Sequence, residues 1–278
     1  MAFTRKVLWI VNMDTDADEK AFAQHVEAAG IDTVCIRTSS ARLPDAIGRF
    51  KALPTPKTVW AWKWPGVISG QSGNHYYADD EAKYVATVLI PKGLDGYIVD
   101  PESDGHVDKK TGLPRRNDWD QSKLAPVAKA FCKTIKDAAA GKPFLFGTTS
   151  GCAYPAPTGK PNIPWAEFFP PSDALYPQCY WRMRSNDEKT GKEVIISING
   201  GSPATAVARG MPAWTPKAGG KKIIPMAGEI DLVTKEEIAA YGAELTKLGL
   251  TEAHFYADVV DPNSPQVPAE VYAAIKAL

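Results

Sequence analysis

Hydrophobic and polar positions alternate along this chain with two different periods. Short apolar runs rich in β-branched and aromatic residues occupy 7–12, 33–38, 58–64, 96–102, 143–150, 174–181, 222–230 and 252–260. Between them lie stretches with apolar residues three and four apart, most clearly at 18–29, 41–53, 79–89, 118–140, 235–248 and 269–278. The first kind of run predicts strands and the second predicts helices packed on a sheet. Because the strand runs are almost continuously apolar, they suit parallel strands covered on both faces by crossover helices. Gly30, Gly93 and Gly141 stand where helix C-caps are expected, and Thr234 precedes Glu236 and Glu237 as an N-cap. The helical signal is weak after the fifth and sixth runs, where 165–169 is short and 203–214 has proline near each end.

Eight such repeats predict an α/β protein, a single (β/α)8 barrel spanning residues 1–278. An open doubly wound sheet is the rival, but the glycine-rich nucleotide loop that follows its first strand is missing. The length suits one barrel. The loops after strands three to six are long, with the largest excursions at 103–117 and 184–201. In a barrel these loops open on the C-terminal face, where barrel enzymes keep their chemistry. No internal repeat or low-complexity tract marks a second domain.

Thirty-two basic residues balance thirty-two acidic ones. No net field draws the chain to nucleic acid or to an anionic membrane, and a neutral substrate fits better. The apolar stretch between Lys6 and Asp14 is too short for a signal peptide or a membrane span, so the chain is expected in the cytoplasm as synthesised. Cys35, Cys132, Cys152 and Cys179 form no CxxC pair and sit in or beside apolar runs, which predicts buried thiols. A bridge between Cys152 and Cys179, near the ends of adjacent strands, stays open. With no long exposed apolar helix in view, a monomer is expected.

The most informative stretch is Leu94-Asp95-Gly96-Tyr97-Ile98-Val99-Asp100-Pro101-Glu102-Ser103. Residues two apart in a strand point to the same side, so Asp100 and Glu102 project together, roughly 6.5 to 7 Å apart. Two neighbouring carboxylates in a partly buried site repel, which raises the pKa of one and suits a division into acid and assisting roles. The plain alternative makes them surface acids, or makes Asp100 a cap. Asp14 closes the first strand and is either a third acid on the same rim or, like Asp16 and Asp18, a cap of the first helix.

A barrel with an acid closing strand one and Asp-x-Glu closing strand four resembles the glycoside hydrolase family 25 lysozymes and related barrels of bacteria and phages. The resemblance implies Glu102 as general acid, Asp100 as the group assisting the anomeric centre, and Asp14 as the rim acid. The segment Leu175-Tyr176-Pro177-Gln178-Cys179-Tyr180-Trp181 is similar to the strand-six Pro-Gln-x-Tyr of such barrels, which implies that Gln178 and Tyr180 line a sugar site. A late-strand acid is also implied, and both Glu229 and Asp258 qualify. The resemblance implies a carbohydrate substrate, bacterial peptidoglycan first.

Aromatic residues point to carbohydrate independently, because flat rings pack on the apolar faces of pyranoses. Trp60, Trp62 and Trp64 alternate through strand three, with His75, Tyr76 and Tyr77 after them; Tyr154, Tyr180, Trp181 and Tyr256 stand near other strand ends. Core packing accounts equally well for Trp60 and Trp62, whereas Trp64, Tyr180 and Trp181 are placed nearer the mouth. His25, His75, His106 and His254 lack ligand spacing, which leaves only an all-carboxylate site from Asp14, Asp16 and Asp100; no metal or other cofactor is expected. Lys63 is read as pairing with a rim acid before a Schiff-base role. The alternative function is an inactive barrel that binds sugar within a phage or secretion apparatus. An active wall enzyme would be released by lysis or delivered by an injection system.

Overall fold

A computed structural model of the chain describes residues 2–67, 77–103, 118–186, 190, 192–258, 260 and 266–278. Six strands form in order: β1 (Arg5–Ile10), β2 (Thr33–Arg37), β3 (Thr58–Lys63), β4 (Gly96–Val99), β5 (Leu145–Gly151) and β6 (Ala174–Gln178). The excursion after β6 folds as an antiparallel hairpin, β7 (Arg182–Asn186) and β8 (Glu193–Ser197), with Met183 opposite Ile196. The seventh barrel position is divided between β9 (Lys222–Ile223) and β10 (Met226–Ala227), and β11 (Glu252–Asp258) is the eighth. A single run at 222–230 was the expectation. Pro225 lies at the break, and a proline has no N–H to give to the ladder.

All barrel pairings are parallel, running β10-β11-β1-β2-β3-β4-β5-β6-β9, and Met226 of β10 pairs with Gln178 of β6 to close the ring. Among the described residues eight helices surround it: α1 (Asp16–Ala28), α2 (Leu43–Lys51), α3 (Tyr77–Tyr84), α4 (Ala125–Ala138), α5 (Trp165–Phe168), α6 (Pro203–Trp214), α7 (Lys235–Lys247) and α8 (Ala269–Ala277). The predicted (β/α)8 barrel is therefore the fold. Gly30, Gly93 and Gly141 all take the positive φ expected of helix ends. Thr234 caps α7 in a reciprocal box with Glu237, and Ser202 does the same for α6 with Thr205. Pro203 sits at the start of α6, where its missing N–H would be unpaired in any case, so the weak signal still yields twelve residues of helix. No helix among the described residues is long and apolar enough to cross a membrane.

The lower part of the barrel interior holds a polar chain wrapped in aromatic rings. Trp9 Nε1 donates to His254 Nδ1 at 3.0 Å, and His254 Nε2 lies 2.8 Å from Glu252 Oε1. Nδ1 accepts, so the proton of the neutral ring is on Nε2 and is donated to Glu252. Burial lowers the His254 pKa, in keeping with that neutral form, though the Glu252 contact opposes it. Arg5 pairs with the other oxygen of Glu252 at 3.2 Å and its guanidinium lies 5.3 Å from the Trp60 ring centre. Trp60 is thus core, at the closed end of the barrel. Gly96 makes room for it, since a Cβ there would stand 2.7 Å from the indole.

Candidate active site

Above this plug the strand ends surround a cavity of ≈ 980 Å³, lined by residues that include Trp9, Trp62, Trp64, Asp100, Glu102, Tyr154, Gln178, Tyr180, Glu229 and Tyr256. Its rings touch one another. Trp62 lies 5.3 Å from Trp9, 5.2 Å from Trp64 and 5.6 Å from Tyr256, between ring centres. Tyr256 stacks on Tyr180 at 5.3 Å, and the Arg37 guanidinium lies 5.2 Å from the Trp64 ring centre. Trp62 therefore serves core and cavity together, and Trp9, which the sequence reading missed, joins it because alternate residues of β1 face inward.

Asp100 follows directly on β4, and its backbone N–H donates to Lys63 O at 2.8 Å, continuing the ladder. The next turn is fixed by Ser150 Oγ donating to Pro101 O at 2.6 Å and by Trp119 N–H donating to Glu102 O at 2.8 Å. Asp100 is 2% exposed. The Gln178 amide Nε2 lies 3.1 Å from both of its oxygens and donates to them. Burial, and after it the charge of Glu102, push the Asp100 carboxyl well above the usual range, against the pull of Gln178. The spacing of Asp100, Glu102, Gln178 and Tyr180 at every second residue thus brings their side chains into one cavity, across two strands.

Tyr180 has its place because residue 228 has no side chain. A Cβ on Gly228 would come within 2.0 Å of the Tyr180 ring. Gly228→Ala is accordingly expected to cost about 1–3 kcal/mol by overpacking and to displace Tyr180 from Tyr256. Urea unfolding measures the first effect; an unchanged midpoint would mean that the segment after β10 yields instead.

Glu229 reaches the cavity from the same segment, with φ at 51°, a conformation rare outside glycine. Burial raises its pKa and Asp231 adds to this, while Arg184 opposes both. Arg184 of the hairpin lies 3.0 Å from Glu229 and also pairs with Asp231 and Glu193.

Three residues expected at the site lie elsewhere. Trp181 is fully buried, its ring centre 6.0 Å from that of Tyr241 on α7. Being one residue from Tyr180, it has the opposite orientation and packs under the helix layer. Asp258 is buried between β11, α1 and α8, 2.8 Å from His25 Nδ1 and accepting from Tyr272 OH at 3.0 Å. The cause is a register shift: Leu8 pairs with Phe255 but Ile10 pairs with Asp258, so β11 has one extra residue. Such a bulge turns the later side chains to the other face. Asp14 is exposed and absent from the cavity lining; its Oδ1 accepts from Ala41 N–H at 2.9 Å, tying the first loop to the second.

The cap of α1 is Thr15, in a box with Asp18. Asp16 pairs with Arg42 at 2.7 Å, so Asp14, Asp16 and Asp100 do not converge, and no group of three or more possible metal ligands occurs among the described residues. Lys63 pairs with Glu81 at 3.8 Å. His75, Tyr76, His106 and the 104–117 excursion lie outside the described residues.

All four cysteines are free and buried. Cys152 lines the cavity, its Sγ 3.7 Å from that of Cys179. The Cys179 thiol lowers the Cys152 pKa, burial opposes this, and Arg209 adds to the lowering. In the other three thiols burial raises the pKa. Since the thiolate is the reactive form, native alkylation with iodoacetamide is expected to label Cys152 first. Mass mapping that found Cys35 or Cys132 labelled as fast would contradict this.

No family model matches the chain, and no curated protein matches it in sequence. Solved structures resemble it in fold. A chitinase from Bacillus thuringiensis superposes with a TM-score of 0.62 at 10% identity, over 99% of this chain and 69% of that one. The spore cortex-lytic enzyme of Bacillus megaterium QM B1551 gives 0.59 at 8%, over 98% and 73%. A GH18 chitinase from Pseudoalteromonas aurantia gives 0.56 at 12%, over 99% and 98%. At such identities the likeness shows the barrel fold, and function has to be argued from the site.

Proposed function

We propose that this chain is a glycoside hydrolase, with Glu102 as the proton donor to the leaving oxygen and Asp100 as its assisting group. The observation that carries the reading is Asp100, held by Gln178 at the end of β4, with Glu102 two residues on, in a cavity walled by Trp62, Trp64, Tyr180 and Tyr256. Asp100 is buried beside the half-buried Glu102, and neighbouring carboxyls in such a place resist carrying two negative charges together. As the glycosidic bond breaks, positive charge grows at the anomeric carbon. That charge offsets the negative charge that the pair takes on when Glu102 gives a proton to the leaving oxygen. The rings supply stacking surfaces for pyranoses.

The substrate placed first is the glycan of bacterial peptidoglycan. Its support is the Asp-x-Glu and Pro-Gln-x-Tyr resemblance to the family 25 lysozymes, together with likeness in fold to a spore cortex-lytic enzyme. One observation favours the second reading, a sugar-binding barrel without turnover. Asp14 and Asp258 are engaged outside the cavity, and Glu229, the further acid inside it, is held by Arg184.

The test measures reducing ends released from peptidoglycan and from chitin oligosaccharides by the wild-type protein, with binding followed in parallel by calorimetry. Release of new ends is the expected outcome. Binding without release across the acid-to-neutral range would replace the enzyme by the binding barrel, and neither binding nor release would end both readings.

A further inference from the structure

The cavity lining carries basic residues as well as acidic ones. Asp100, Glu102 and Glu229 line it from β4 and the segment after β10, while Lys160 and Arg209 line it from the β5–α5 loop and α6. The acids are held within the protein, Asp100 by Gln178 and Glu229 by Arg184. Neither Lys160 nor Arg209 has a carboxylate within ion-pair distance among the described residues.

Lys160 stands on a wound loop. Its N–H donates to Tyr154 O at 2.8 Å and its carbonyl accepts from Trp165 Nε1 at 3.0 Å. Before it, a Cβ on Gly159 would fall 2.4 Å from Ala153 O, so this tight course suits glycine alone. Arg209 is set by α6, whose Gly210 packs on the cysteine pair; a Cβ there would meet Cys179 Sγ at 2.5 Å. Two cations from separate elements thus line one cavity, without a carboxylate partner among the described residues.

We propose that Lys160 and Arg209 form a subsite for an anionic substituent on the sugar, so that the preferred glycan carries carboxylates. The inference rests on the glycan reading of the cavity and deepens it. A guanidinium pairs with a carboxylate through two parallel hydrogen bonds, and an ammonium adds a point charge. The cavity acids repel the same substituent, so the charges orient the chain of sugars with its anionic groups toward Lys160 and Arg209. Charge balance over the whole sequence pointed to a neutral substrate. The balance is global, whereas recognition depends on where in the cavity each charge stands.

Two probes of one backbone test it: the neutral tetrasaccharide of N-acetylglucosamine, and the peptide-free peptidoglycan tetrasaccharide with a free lactyl carboxylate on alternate sugars. Calorimetry on the wild type is expected to show the carboxylated probe binding about tenfold tighter or more, equal to 1.4 kcal/mol. The preference should weaken with added salt. In Lys160→Ala/Arg209→Ala it should vanish, with affinity for the neutral probe unchanged, and in Arg209→Glu it should reverse. Both side chains extend into solvent-accessible space, and an unchanged thermal midpoint serves as the folding control. Equal binding of the two probes by the wild type, or equal loss of both in the double variant, overturns the subsite and leaves the glycan reading standing. Binding of neither probe overturns both together.

Discussion

Glu102→Gln is expected to leave the barrel folded and to lower the rate of glycan cleavage by about 10²- to 10⁴-fold, the usual contribution of a positioned general acid. The substitution keeps the shape of the side chain and removes its transferable proton. Its backbone position is held independently, by Ser150 on Pro101 O and by Trp119 N–H on its own carbonyl, so the loop should not move. A second measurement separates proton donation from simple binding. Aryl glycosides whose leaving groups depart without protonation should be cleaved by the variant at close to the wild-type rate for bond cleavage. A loss equally deep on those substrates would show that Glu102 acts otherwise than as an acid. A variant as active as wild type on natural glycan would pass the role to Glu229, the remaining cavity acid whose pKa burial raises.

Asp100→Asn is expected to stabilise the protein at neutral pH while lowering activity. Burial, with the Glu102 charge second, raises the Asp100 pKa in the folded state, with Gln178 pulling the other way. The folded chain therefore binds this proton more tightly than the unfolded chain does. Stability falls as pH rises from the unfolded value of about 3.9 through the folded one, and the penalty is complete above that. Asparagine has no proton to lose and can still accept from Gln178 through its amide oxygen. Its melting temperature should exceed the wild type's at neutral pH, and the difference should shrink toward zero as pH falls below the unfolded value. A variant less stable than wild type at neutral pH would mean that the two Gln178 contacts outweigh the cost of burial. Reduced glycan cleavage by the more stable variant would show that the site holds its charge at the expense of stability.

The acidic pair and its surroundings were legible in part because strands impose a period of two. Asp100 with Glu102, and Gln178 with Tyr180, needed only strand parity to be assigned to one side, and the cavity contains all four. The same rule, applied strictly, separates Trp181 from Tyr180. Asp258 could not be placed in this way, since the extra residue in β11 reverses parity beyond Tyr256 and depends on how that strand meets β1. Asp14 carried two readings in sequence and takes neither place: Thr15 caps α1, and Asp14 lies outside the cavity lining, accepting from Ala41 N–H on a different loop.

What the sequence determined by itself was the alternation of periods: eight strand-like runs with helices between them, and two carboxylates on one face at the end of the fourth. These follow from local backbone geometry and the burial of apolar faces, which repeat along the chain and can be read from it. Only the tertiary structure decided which charges meet. Gly228 admits the Tyr180 ring, Gln178 crosses from β6 to Asp100, and Lys160 and Arg209 approach one cavity from elements 49 positions apart in sequence. Such contacts depend on closure of the barrel, on one bulge and on the course of individual loops, none of which has a period.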